Sequence, residues 1–168
     1  GVTMNMDTHY RVEHYQVNMS ALLRMGEWFD YLREKGVYDN TRIIIVADHG
    51  RGTGWFDGFT FDNINCEWYL PLLMVKDFDS HGFELSTEFM TNADACPLAV
   101  QGVIKNPINP FTGNLLDGHE KNEDIVRIIV SDDYDISKNN GYRFFPAKWY
   151  TVNGTPYDNT NWTYIGFE

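Results

Sequence analysis

Asp48 and His49 are adjacent in this sequence and combine a carboxylate with an imidazole, two donor types that together hold a divalent cation. They follow Ile43-Ile44-Ile45-Val46-Ala47 and precede Gly50-Arg51-Gly52. Four consecutive β-branched aliphatics predict a strand buried on both faces, as in the middle of a parallel sheet. In open α/β sheets, ligands and metals gather at the carboxyl ends of the strands, so a rigid strand here delivers both donors to one point. The competing reading makes Asp48 a cap for the next element and packs His49 under a loop. His9, in Asp7-Thr8-His9-Tyr10, is a third candidate. If the short strand predicted over residues 2–6 runs parallel to the central one, His9 emerges at the same edge as His49; otherwise it is a loop histidine. Arg51 reads as a solvated arginine, with contact to an anionic group as the alternative. His119 lies in a polar stretch that suggests no chemistry.

The elements around these residues follow from periodicity. Leu22, Met25, Phe29 and Leu32 recur at the helical period and predict a helix over 20–35, with Asn18 or Ser20 as its cap and Lys35-Gly36 at its end. The turn Tyr38-Asp39-Asn40-Thr41 then feeds the Ile43 strand, the αβ half of a right-handed crossover unit. Residues 50–68 are rich in glycine and aromatics without a period, which predicts a long loop of the kind that carries function. Leu70-Pro71-Leu72-Leu73-Met74-Val75 reads as a second buried strand, with Pro71 where a missing donor is tolerated. A helix is expected from Ala93 or Asp94 to Ile104, with Pro97 in its first turn. Further on, strands over 125–130, 142–145 and 148–152, with turns at Asn139-Asn140-Gly141 and Asn153-Gly154, predict an antiparallel extension.

A chain of 168 residues suits one domain with its own core. Its 43% apolar and 15% aromatic content excludes general disorder. The net charge of −11 argues against nucleic acid as a partner, since a basic face is needed to displace counterions. It also means that an anionic substrate needs a metal ion or a local basic pocket to approach. Cys66 and Cys96 do not have metal-site spacing and read either as an extracellular disulfide or as two buried thiols. No apolar run reaches membrane-spanning length, and no signal peptide opens the chain. Gly1-Val2-Thr3-Met4 begins in strand-like sequence, as expected of a soluble fragment whose missing N-terminal part belongs to the same domain.

Taken together, residues 31–41 (Tyr31 through Gly36-Val37-Tyr38-Asp39-Asn40-Thr41), the apolar strand and Asp48-His49-Gly50 resemble the alkaline phosphatase/sulfatase superfamily. Its pattern is a helix, a "G-x-Y-D-N-T" turn, a strand and "D-H-G". The likeness is greatest to the sulfatase-like phosphoglycerol and phosphoethanolamine transferases of bacterial envelopes, the lipoteichoic acid synthase-like group. Tyr69 through Lys76 is similar to that family's "VP-apolar-K" strand, and Ala93-Asp94-Ala95-Cys96-Pro97 to its "D-x-x-P-T" helix start, with Leu98 in place of threonine. The resemblance covers roughly residues 3–116.

The resemblance implies an α/β fold: a partial alkaline-phosphatase-like sheet with flanking helices and a C-terminal antiparallel β extension. Residues 1–116 would be the C-terminal part of a sulfatase-like catalytic domain and 117–168 the extension. It also implies that Asp48 and His49 ligate one divalent metal (manganese, zinc, magnesium or calcium), and that His9 contacts the transferring group. Arg11 stands where the family's "T-H-x-P" has proline. The expected substrate is a phospho- or sulfo-ester of a lipid or glycan, at the extracellular face of a bacterial cell membrane. In the family the hydroxyl nucleophile lies upstream of the "T-H" segment, and no Ser or Thr here stands in a matching motif, so the fragment alone is expected to be inactive. The competing class is a non-catalytic surface or glycan-binding α/β module that uses its many aromatics, and a degenerate family member kept as a partner-binding module is a third reading.

Overall fold

A computed structural model describes residues 13–52, 60–86, 88–116, 126–130 and 147–167. The predicted strands over 2–6 and 142–145 and the turn at 139–141 lie outside the described residues. The fold is a mixed α/β arrangement. In chain order its elements are α1 (Glu13–Glu34), β1 (Ile43–Val46), β2 (Thr60–Phe61), β3 (Ile64–Asn65), β4 (Leu73–Lys76), α2 (Ala95–Val100), β5 (Val126–Val130), β6 (Lys148–Val152) and β7 (Trp162–Phe167). Among the described residues β1 pairs with β4, β2 with β3, and β5-β6-β7 form a three-stranded sheet. No helix among them is long and apolar enough to cross a membrane. The chain divides into two compact units: Gly1–Ile43 with Val75–Phe83, and Ile44–Met74 with Glu84–Glu168.

In the first unit, α1 starts before the predicted residue 20, because nothing in residues 13–19 breaks a helix; Asn18 and Ser20 therefore lie within it. Its half-buried face is Met19, Leu23, Met25, Phe29 and Leu32, whereas Leu22 is exposed. The end falls where Lys35-Gly36 predicts it. Gly36 adopts φ +68°, its N–H donates to the Arg33 carbonyl (2.9 Å), and the Val37 N–H donates to that of Leu32 (3.0 Å), which is a Schellman cap. The following turn is closed by Lys76, whose ammonium donates to the carbonyls of Tyr38, Asp39 (3.2 Å) and Thr41 (3.0 Å). Arg42 pairs with Asp77 at 2.8 Å. The Phe78 N–H and Arg42 hold the Asp77 carboxyl below its ordinary value.

The second unit contains the core. Cys66, Tyr150, Val152 and Trp162 are buried together, with Phe61, Ile64, Tyr69 and Ile128 packed against them. β6 supplies two of the four by strict alternation: Tyr150 and Val152 face in, while Trp149 and Thr151 are half-buried. It pairs antiparallel with both β5 and β7, and the register shifts between Trp149 and Tyr150. β7 is absent from the sequence-based expectation. Asn153-Gly154 does not close a tight hairpin; it opens a longer connection, residues 153–161, that ends in a 3₁₀ turn over Asn159–Asn161. Within the predicted loop over 50–68, β2 and β3 form a tight antiparallel hairpin whose corner residues Asp62 and Asn63 both have positive φ. Asp62 accepts a 2.9 Å hydrogen bond from the Tyr150 hydroxyl and lies 3.6 Å from the Lys148 ammonium. Burial, reinforced by the Asp62 carboxylate, raises the Tyr150 phenol above its ordinary value.

Four further expectations need correction. The β1 strand has its predicted bounds, but only Ile43 is buried and Val46 is 42% exposed, because among the described residues β1 has one neighbouring strand. The second strand begins at Leu73, since its predicted start is taken by Leu70, which caps the 3₁₀ turn over Cys66–Tyr69, and by the donorless Pro71. α2 ends at Val100, not Ile104, because Gln101 leaves helical geometry and Gly102 follows at φ +72°. The cysteines fit neither alternative: Cys66 is a buried thiol raised above its ordinary value by that burial, and Cys96 is an exposed one.

Candidate functional site

The backbone that carries Asp48 and His49 is pinned residue by residue. The Ala47 N–H donates to the Leu72 carbonyl (2.8 Å), the Asn92 amide donates to the Asp48 carbonyl (2.6 Å), and the Gly50 N–H donates to the Trp68 carbonyl (2.9 Å). Gly50 is required by contact. A Cβ there would overlap the Glu67 carbonyl oxygen and lie 2.9 Å from that of Leu70. Gly52 is similarly tight, with the Trp68 indole nitrogen 2.5 Å and the Asn65 amide nitrogen 2.9 Å from where its Cβ would be. The segment after β1 is thus laid closely over the 3₁₀ turn that carries Trp68.

On this fixed backbone both candidate ligands face solvent. The Asp48 side chain is 88% exposed and that of His49 56%. The Asp48 Oδ1 accepts the His49 backbone N–H at 3.0 Å, which orients the carboxylate along its own chain. The imidazole Nδ1 lies 2.5 Å from the Gly50 carbonyl oxygen. A carbonyl only accepts, so Nδ1 carries the proton, and in the neutral ring Nε2 presents its lone pair. Nε2 lies 3.6 Å from Asp48 Oδ2. Two acceptor atoms therefore face each other, close to the separation of about 3.4 Å that a tetrahedral ion with bonds near 2.1 Å sets between its donors. A metal-binding histidine is ordinarily steered by such a bond from its other nitrogen to a carbonyl.

The pair fits part of a cation's coordination shell. Among the described residues no group of three or more His, Cys, Asp or Glu side chains is placed to hold a metal. His9, predicted at the same edge, lies outside the described residues. No protein-family model, curated protein or solved structure matches this chain. What the site can do rests on its own chemistry.

Two neighbours escape the sequence reading. Trp68, 39% exposed, has its ring centroid 5.5 Å from that of His49, and the Arg51 guanidinium sits 5.2 Å above the same indole. Asn92 anchors the Asp48 main chain from the start of the turn preceding α2. Asn92 directly precedes the Ala93-Asp94 segment that resembles a "D-x-x-P" helix start, but nothing in the sequence ties it to Asp48. There Asp94, buried, accepts from the Thr91 N–H (2.6 Å) and hydroxyl (3.1 Å) in a capping box. Trp68 had no signal beyond its residue type. A separate cavity of about 520 Å³ in the first unit is lined by Arg33, Tyr38, Lys76 and His81, among others. Its cations are engaged in the fold: Lys76 on three carbonyls, and Arg33 on Asp30 (2.7 Å) and the Tyr38 ring.

Proposed function

We propose that this chain is part of a metal-dependent phosphoryl- or sulfuryl-ester hydrolase or transferase of the alkaline phosphatase/sulfatase type, in which Asp48 and His49 are ligands of one divalent cation. The observation that carries the reading is the geometry of the pair. A carboxylate oxygen and an imidazole nitrogen lie 3.6 Å apart just beyond the end of β1, and the ring is oriented by its bond to the Gly50 carbonyl. The mixed oxygen–nitrogen donor set suits manganese or zinc better than calcium, which takes oxygen ligands. The resemblance to sulfatase-like transferases supplies the reaction class and a bacterial envelope location. It also implies the finer architecture, an alkaline-phosphatase-like sheet of which β1 is one strand.

A bound divalent ion at such a site supplies Lewis acidity, neutralising charge on phosphoryl or sulfuryl oxygens. The chain's own contribution is to hold the donors still: Ala47, Asp48 and Gly50 are each tied to a different neighbour, so neither ligand has to be ordered when the cation arrives. His9 would contact the transferring group, and a hydroxyl nucleophile outside this segment would complete the chemistry. In the full-length protein, Asp48→Ala is expected to abolish ester turnover and to weaken manganese binding at least tenfold by calorimetric titration, with His49→Ala close behind. Retention of most activity in Asp48→Ala refutes the assignment.

A further inference from the structure

Arg24, Arg33 and Arg42 each lie within 2.8 Å of a carboxylate, on Glu27, Asp30 and Asp77 respectively. Arg51 has no carboxylate partner among the described residues, in a chain that carries 24 acidic side chains. Its guanidinium is instead laid over the Trp68 indole, beside the ring that also contacts His49. The backbone before it is fixed, because the Gly50 N–H bonds the Trp68 carbonyl and a Cβ there would meet the Glu67 and Leu70 carbonyls, while Gly52 after it lies against the Trp68 and Asn65 side chains. An arginine stacked on an aromatic face loses little capacity for hydrogen bonding, since its N–H groups lie in the guanidinium plane and stay free at the edge. We propose that Arg51, positioned by Trp68, is the oxyanion-binding group of the Asp48–His49 site and takes the tetrahedral phosphate or sulfate of the substrate ester. The inference rests on the reading of Asp48 and His49 as metal ligands and adds a second cationic contact beside the metal, which eases the approach of an anionic substrate to a chain of net charge −11.

Arginine suits this role better than lysine, because two parallel N–H groups meet two oxyanion oxygens at once. Trp68 acts through Arg51 and is a positioning residue. The test titrates the full-length protein with inorganic phosphate and, separately, with sulfate, with and without manganese, at constant ionic strength. Binding is read by calorimetry and by Trp68 emission, which Trp68→Phe identifies among the other tryptophans. Arg51→Ala is expected to weaken phosphate or sulfate binding at least tenfold in both conditions, with Arg51→Lys intermediate. Trp68→Ala should lose affinity while Trp68→Phe, which keeps an aromatic face, retains most of it. The anion bound more tightly identifies the ester as phosphoryl or sulfuryl. Unchanged anion affinity in Arg51→Ala overturns the proposal and leaves the metal reading standing. Loss of affinity in Arg51→Ala, together with undiminished manganese binding in Asp48→Ala, keeps the oxyanion site and overturns the metal reading instead.

Discussion

Gly50 illustrates how much of the site depends on a side chain that is not there. With any Cβ at this position the chain could not lie against the Glu67 and Leu70 carbonyls, and the Gly50–Trp68 hydrogen bond would stretch. Gly50→Ala is therefore expected to destabilise the protein by about 1–3 kcal/mol, the usual cost of forcing extra volume into a packed position. Urea denaturation measures this, and a change within about 0.5 kcal/mol would mean that the backbone relaxes freely. The sequence singled out Asp48 and His49 as candidates because their types and adjacency are local facts. It could not identify Asn92 or Trp68, whose relation to Asp48 and His49 exists only once distant segments are brought together. The tautomer that points Nε2 outward was equally invisible, since it follows from a carbonyl's position.

Among the elements, those with local causes were readable. The bounds of β1 follow from four β-branched residues, and the end of α1 from Lys35-Gly36. What failed was anything set by partners. The hairpin of β2 and β3 is too short to show a period, and β7 lies in sequence that lacks a clear alternation. Lys76 shows a motif residue with a structural cause, as one ammonium satisfies three carbonyls of the turn before Ile43. Replacing it by methionine keeps the length and removes every donor. Lys76→Met should cost on the order of 2 kcal/mol, because bonds to a charged donor are lost and partly buried carbonyls remain. A shift in the urea midpoint without a change in slope checks this. An unchanged midpoint would show water serving those carbonyls as well as the ammonium does.

Taken as one molecule, the protein concentrates its best-packed residues around Tyr150, far in sequence from the candidate ligands. The Tyr150 phenol lies above its ordinary value of 10.0 because burial and Asp62 both oppose its ionisation. The sign follows from linkage. Below about pH 10 the tyrosine is protonated in both folded and unfolded chains and its contribution is fully present; as pH rises further the unfolded chain releases the proton first, and stability falls. The wild type should therefore lose thermal stability above about pH 10 more steeply than Tyr150→Phe, a comparison in which the lysines cancel. Parallel curves for the two proteins would refute the burial argument.

Cys66 belongs to that same cluster, whereas Cys96 faces solvent. The chain thus carries a clock for its own breathing. A maleimide should cap Cys96 promptly and reach Cys66 only during excursions that part Tyr150 from Trp162, so the ratio of the two capping rates reads out the free energy of that excursion. Prompt capping of both sulfurs would mean that the interior around Tyr150 is open to reagents even at rest.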